Sequence, residues 1–173
     1  PQIKILDAEP GIPSEMVFVP SQMKITRPEE MFFNDTELSM QWHYNNTGSM
    51  SGSVAGSDIN AFAEWDKTAG NTDRIVAVTD EGIQYDHPDL AANIWVNEAE
   101  KNGTPGEDDD NNGYVDDVYG WNTVYNKPEI SPMSHGTQVA GTVAAVNNTG
   151  VGVCGVAGGT GKNDGAKVMI VQI

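Results

Sequence analysis

Ile75-Val76-Ala77-Val78 is a continuous apolar run that stops at Thr79-Asp80-Glu81-Gly82, the pattern of a short strand buried on both faces. A second run of this kind, Ala166-Lys167-Val168-Met169-Ile170-Val171-Gln172-Ile173, stands last in the sequence. Between them the period changes. Over 135–147, Val139, Val143 and Val146 share one stripe, and Ala140, Gly141, Ala144 and Ala145 are small enough for close packing, which predicts a buried helix. Strand, helix and strand in that order make a right-handed parallel crossover, so the fold class is α/β. Ahead of this unit, Ile59, Phe62, Ala63 and Trp65 recur at near-helical spacing behind Asp58, a candidate cap, and predict a short amphipathic helix over 59–68. Residues 47–57 form a Gly/Ser-rich loop. Within the Pro-rich, charged first thirty residues, Met16-Val17-Phe18-Val19 reads as a short strand. A terminal parallel strand takes its partners and covering helices from elsewhere, so the chain reads as a fragment with an exposed strand edge at 168–173.

Composition narrows the partners. The chain has 173 residues with 38% hydrophobic content, enough for the core of one domain. Its 25 acidic and 9 basic residues give a formal charge of −16, which repels phosphate backbones and anionic headgroups and argues against nucleic acid or a membrane surface as partner. No apolar run approaches the ~18 residues of a membrane-spanning segment. Acidity of this degree means either a solvated surface or carboxylates gathered around hard cations, and the second predicts local clusters, of which one stands at 107–117. Cys154 is the only cysteine, so no intrachain disulfide forms. Asn-X-Thr triplets at Asn34, Asn45 and Asn147 are short enough to arise by chance.

In open α/β sheets ligands gather at the carboxyl ends of the strands, where Asp80 falls. An aspartate there can orient an imidazole by accepting its Nδ1 proton, leaving Nε2 free as a general base. His135, at the amino end of its helix, is the candidate, and the helix dipole at that end predicts a neutral ring. Gly136 lets the helix start close to the sheet. Taken singly, an Asp after a strand is a turn former and a lone His is structural. The residues around them change that reading. Val76-Ala77-Val78-Thr79-Asp80-Glu81-Gly82-Ile83 followed by His87-Pro88-Asp89-Leu90 resembles the aspartate motif of the subtilases. Ser134-His135-Gly136-Thr137-Gln138-Val139-Ala140-Gly141-Thr142-Val143-Ala144-Ala145 is similar, nearly position for position, to the histidine motif of that family.

The resemblance implies a subtilisin-like doubly wound parallel sheet, with only its first half present. It also implies an Asp-His-Ser triad in which Asp80 orients and His135 is the general base, in the chain order that subtilisin usually illustrates. The family's Gly-Thr-Ser-Met-Ala segment and its oxyanion-holding Asn do not occur, so this chain alone is predicted not to cleave peptides. Glu81 stands where Thr or Ser is commonest, although proprotein convertases carry an acid there, and it implies a preference for basic residues near the scissile bond. His43 and His87 receive no catalytic role; His87 is expected to pack or hydrogen-bond, and His43, beside Trp42, to form part of a surface anchor.

Calcium enters through two further stretches. Residues 146–157 resemble the loop after the histidine helix that wraps the family's high-affinity Ca2+. The ligands so implied are the carbonyls of Val146, Val151 and Val153, the side chain of Asn148, and the carboxylates of Asp89 and Asp35. Asp35 is placed by the segment ending Gln41-Trp42, which resembles the mature start of kexin-like members, with Thr36 where Pro is usual. In Asp108-Asp109-Asp110-Asn111-Asn112-Gly113, the acids and amide at alternate positions before Gly match the first half of an EF-hand loop. Tyr119 replaces the closing Glu, so this is not an EF-hand; Asp108, Asp110 and Asn112 take their further carboxylate from Asp116 or Asp117. A solvated acidic loop is the rival reading.

Residues 1–33 are read as an extension resembling a propeptide tail, from Val17-Phe18-Val19-Pro20 and Met23-Lys24, with a processing junction between Arg27 and Asn34. Residues 34–173 are read as the amino-terminal part of a subtilase catalytic domain. The implied activity is that of a secreted or cell-envelope serine endopeptidase acting on protein or peptide substrates, its remaining carboxyl-terminal part being a partner. The alternative is a catalytically inactive calcium-binding module that uses the same scaffold for protein interaction.

Overall fold

A computed structural model describes residues 33–173; the strand read at 16–19, the propeptide-like motifs and most of the junction at 27–34 lie outside the described residues. The described chain is built on a three-stranded parallel sheet, in the order β1-β3-β2, of β1 (Ile75–Asp80), β2 (Gly120–Asn122) and β3 (Lys167–Gln172). Helix α3 (Ser134–Ala144) packs on β1 and β3, so the crossover read from the sequence is present. Two shorter helices precede it, α1 (Ala61–Trp65) and α2 (Glu98–Asn102).

The main core lies between the sheet and α3. Val78, Val168 and Ile170 from the strands meet Ala140 and Ala144 from the helix, closed by Ile83, Leu90 and Ile94. Each large side chain so buried contributes ~1.5–3 kcal/mol. The small residues noted in α3 serve this contact: Ala140 and Ala144 are fully buried against the sheet. A second cluster gathers Leu38, Tyr44, Ala61, Trp65, Ala69 and Cys154. It ties the stretch before α1 to the loop after α3. Tyr44 Oη and Gln41 Nε2 each donate to the Cys154 carbonyl at 2.8 Å, Cys154 N donates to Gln41 Oε1 at 2.8 Å, and Trp65 Nε1 donates to Val156 O at 2.8 Å.

Four local expectations are corrected. The helix predicted over 135–147 ends at Ala144, because Ala145 turns to ψ 140° and Val146 N donates instead to Asp89 O at 2.8 Å. Asp58 does not cap α1; Asn60, at φ 53°, stands at the cap, while Asp58 accepts from Asn46 N and Asn60 N. The strand 75–80 is not buried on both faces, since Ile75, Val76 and Ala77 are exposed and only Val78 is buried. Nor is 168–173 the free edge: β3 is central, and among the described residues the edge strands are β1 and β2. Strand β2 had no readable signal, being three residues long and beginning with glycine.

Candidate functional site

Parallel pairing sets the carboxyl ends of the strands in one row. Asp80 is in register with Gln172, which is in register with Asn122. Gln172 Oε1 accepts from Asn122 Nδ2 at 3.1 Å and from Ser131 N at 2.8 Å, which fixes the chain leading into α3 against this rim. Two glycines let the pieces close. A Cβ on Gly82, at φ +129°, would run into the Ser131 carbonyl oxygen, and one on Gly136 would run into the Gly82 carbonyl oxygen and crowd Asp80. Gln84 N donates to Thr137 Oγ1 at 2.9 Å, and that hydroxyl donates to Met133 O at 2.6 Å, so the first turn of α3 is also fastened to the loop after β1.

The outcome is a direct contact between Asp80 and His135. Nδ1 of His135 lies 2.9 Å from both carboxylate oxygens of Asp80. Glu81 N donates to Asp80 Oδ1 at 2.8 Å. The ring's hydrogen bond, with that backbone donor, holds the Asp80 carboxyl below the usual carboxylate range, so it is an acceptor and the proton of the shared bond sits on Nδ1. The hydrogen bond and then the charge of Asp80 raise the His135 pKa above its ordinary value. The direction of this shift is opposite to that expected from the helix end, because a carboxylate in contact outweighs a terminal half-charge. The Asp80 side chain is only 13% exposed and that of His135 72% exposed, so the carboxylate is held behind an imidazole open to solvent. An imidazole held this way can take a proton on Nε2 from a group brought to it.

The other histidines behave as structural residues. His87 Nδ1 accepts from Asp89 N at 3.2 Å. His43 packs edge-on to Trp42 and 4.2 Å from the Tyr44 ring, and burial lowers its pKa.

A second convergence joins Asp35, Asp89 and the loop after α3. Asp35 Oδ2 accepts from Asn148 N at 2.6 Å and from Cys154 Sγ at 3.0 Å, and Oδ1 accepts from Thr149 N and Oγ1, each at 2.9 Å. Burial, with the Asp35 carboxylate next to it, pushes the Cys154 thiol up, so the sulfur stays protonated and able to donate. Asp89 Oδ2 accepts from Val153 N at 3.0 Å, while its Oδ1 is buried without a hydrogen-bond partner. Gly152, at φ +70°, passes where a Cβ would collide with the Asp89 carboxylate. Both carboxylates are buried, and no Lys or Arg pairs with either among the described residues. Burial, reinforced by the charge of Asp35, raises the Asp89 pKa. Of the other candidates, Val151 O accepts from Thr149 Oγ1 at 2.9 Å, and exposed Asn148, at φ 62°, turns its Nδ2 to Thr160 O at 3.3 Å. Asn147 is fully buried, which removes it as a glycosylation acceptor.

The acidic loop folds around a residue that the sequence reading missed. Buried Glu100 accepts from Asp109 N and Asp110 N through Oε1 and from Asp116 N through Oε2. Carboxylate oxygens of Glu100, Asp108 and Asp110 lie within 4.8 Å of one another. Asn97 bridges Asp110 and Asp117 with its amide, and Asn112 does the same, which leaves Asp117 behind two amides rather than in the three-carboxylate group. Burial raises the Asp117 pKa. The signal for Glu100 was its place in a short helix opened by Asn97, immediately before the acidic run, but nothing in the spacing says that the loop folds back onto it.

A doubly wound α/β sheet carrying Asp and His at its carboxyl rim defines a class, and comparison with known proteins gives the family. Residues 71–173 match the subtilase family of peptidases, and the chain belongs to it. It is 42% identical over 135 residues to subtilisin-like protease 1 of Plasmodium vivax, covering 73% of this chain and 19% of that protein. It is 37% identical over 146 residues to an extracellular protease of Xanthomonas campestris, covering 81% and 22%. Among solved structures, the serine protease of Aeromonas sobria is similar with a TM-score of 0.57 at 26% identity, over 88% of this chain and 23% of that one. The same enzyme in complex with its chaperone gives a TM-score of 0.55. The chain spans about a fifth of the length of the curated relatives it matches. No described helix is long and apolar enough to cross a membrane.

Proposed function

We propose that residues 34–173 are the amino-terminal part of the catalytic domain of a secreted or cell-envelope serine endopeptidase, and that residues 1–33 are the tail of its propeptide. Asp80 orients His135, and His135 takes the proton of a serine hydroxyl as it attacks a peptide carbonyl, forming the acyl-enzyme. That serine, with the oxyanion donors, belongs to a segment outside these 173 residues. The observation carrying this reading is the 2.9 Å contact of His135 Nδ1 with a carboxylate at the carboxyl rim of the sheet, in a member of the subtilase family.

Two Ca2+ sites complete the proposal. Asp35 and Asp89, with carbonyls of Val146, Val151 and Val153 and the Asn148 side chain, would hold one. The partnerless buried Oδ1 of Asp89 supports the fit, since a buried carboxylate oxygen is costly without a partner. Glu100, Asp108 and Asp110, with Asn112 and Asp117 beside them, would hold the other. When bound, calcium would act as a structural cross-link in a chain that can form no intrachain disulfide.

The test is labelling of the longer product of the gene with a fluorophosphonate, which reacts with an activated serine. Labelling that disappears in His135→Ala supports the endopeptidase. No labelling, with calcium binding intact, makes the chain part of a catalytically inactive calcium-binding module.

A further inference from the structure

We infer that Glu81 is a positioning residue for His135, holding its backbone at the start of α3 while placing a second negative charge beside its ring. The inference rests on the proposed role of His135 as general base. Helix α3 lacks the usual N-terminal acceptors. Met133 at the N-cap offers no side-chain hydrogen bond, and the first turn contains no acid. The first N–H groups of a helix have no partner within the helix and need acceptors from outside. Glu81 supplies one across the junction: its Oε1 accepts from His135 N at 3.3 Å.

Consecutive residues of an extended strand point to opposite sides, so Asp80 and Glu81 could not both reach His135 if β1 continued. The chain turns instead. Glu81 N donates back to Asp80 Oδ1, and β1 ends at Asp80. One carboxylate then takes the ring and the next takes the main chain of the same histidine. The ring and the main chain of His135 are thereby held by adjacent residues.

The charge of Glu81 acts in the same direction as that of Asp80 and adds a smaller push to the histidine. Among the described residues, Asp80 and Glu81 are the charges that act on the ring: the loop continues Gly82-Ile83-Gln84, the approach to α3 is Ser131-Pro132-Met133-Ser134, the first turn continues Gly136-Thr137-Gln138, and the other strands end at Asn122 and Gln172. Glu81 is exposed and forms no salt bridge among the described residues, so its effect on the ring is open to screening by salt.

Glu81→Gln separates the two actions, because the amide oxygen still accepts from His135 N while the charge is gone. Glu81→Ala removes both. The chain has three histidines, so a ring-proton NMR titration of the whole chain carries two internal references, His43 and His87. In Glu81→Gln the His135 midpoint is expected to fall, by an amount that shrinks as salt is raised, with His43 and His87 unmoved and the His135 amide still protected from exchange. In Glu81→Ala the midpoint falls and that protection is lost. An unchanged His135 midpoint in Glu81→Gln, or unchanged amide protection in a folded Glu81→Ala, overturns the inference. If Glu81→Ala unfolds, shown by all three rings titrating alike, Glu81→Gln decides. These readings need no peptidase activity, so they stand apart from failure of the fluorophosphonate test.

Discussion

Asp80, which ends the first strand, and Asp89, on the stretch that follows, meet opposite fates. Asp80 finds its partner inside the chain: the His135 imidazole lies against both of its oxygens, and its pKa is held down. Asp89 is drawn into the interior against another acid, Asp35, with one oxygen unpartnered and its pKa held up. The acidic loop likewise brings acids together, with oxygens of Glu100, Asp108 and Asp110 within 4.8 Å of one another. A carboxylate answered by a side chain can be displayed at a surface, whereas carboxylates gathered together repel one another unless a cation, a proton or hydrogen-bond donors offset the charge.

Calcium tests the second half of this comparison and gives the largest expected effect. A ligand at a hundred times its Kd adds ~2.7 kcal/mol per site, which at about 3 °C per kcal/mol is a rise in Tm of roughly 8 °C for a domain of this size. Calorimetry with EDTA and with saturating calcium checks it, and an unchanged Tm would sink both proposed sites. Asp89→Asn should remove the share of the rise that belongs to its own site and leave that of the acidic loop.

Gly136→Ala tests the first half by forcing a methyl group against the Gly82 carbonyl. Crowding of this kind costs ~1–3 kcal/mol, so the urea midpoint should drop and the His135 ring resonance should move toward that of a free imidazole. A variant as stable as the parent, with an unshifted ring, would show that the helix can start further from the rim.

Glu100→Gln should reduce the calcium stoichiometry measured by isothermal titration from two sites to one, leaving the Asp89 site intact. A stoichiometry still at two would mean that the acidic loop binds without the residue it folds around.

The smallest effect is the pH dependence of the Asp80–His135 contact. Asp80, with its folded pKa depressed, contributes stability above the ordinary carboxylate range and loses it as pH falls through its folded value. His135, with its folded pKa raised, contributes fully below the ordinary histidine value and loses its contribution as pH rises through the folded one. The Tm difference between the parent and Asp80→Asn should therefore peak between the two folded values and decline on both sides. A difference independent of pH would mean that the contact carries no charge-dependent stability.

The chemistry-bearing residues were legible because each is tied to a local pattern. An apolar run ending in Asp80, and a small-residue stripe beginning at His135, are signals within a few residues of the site. Strand β2 was not legible, since a three-residue strand starting with glycine has no period and exists through its pairing with β3. Glu100 escaped for a similar reason: its partners, Asp109, Asp110 and Asp116, are chosen by how the loop folds back.

The sequence by itself determined the α/β class, the family and the two residues brought together at the rim, because hydrophobic periodicity and motif spacing are local properties that survive without coordinates. Tertiary structure alone decided that β3 lies inside the sheet between β1 and β2, that α3 stops at Ala144 where Val146 turns to Asp89, and that the His135 ring is pulled toward its protonated form. Each of these depends on contacts between residues far apart in the chain, where the outcome is set by which partner comes within hydrogen-bonding distance.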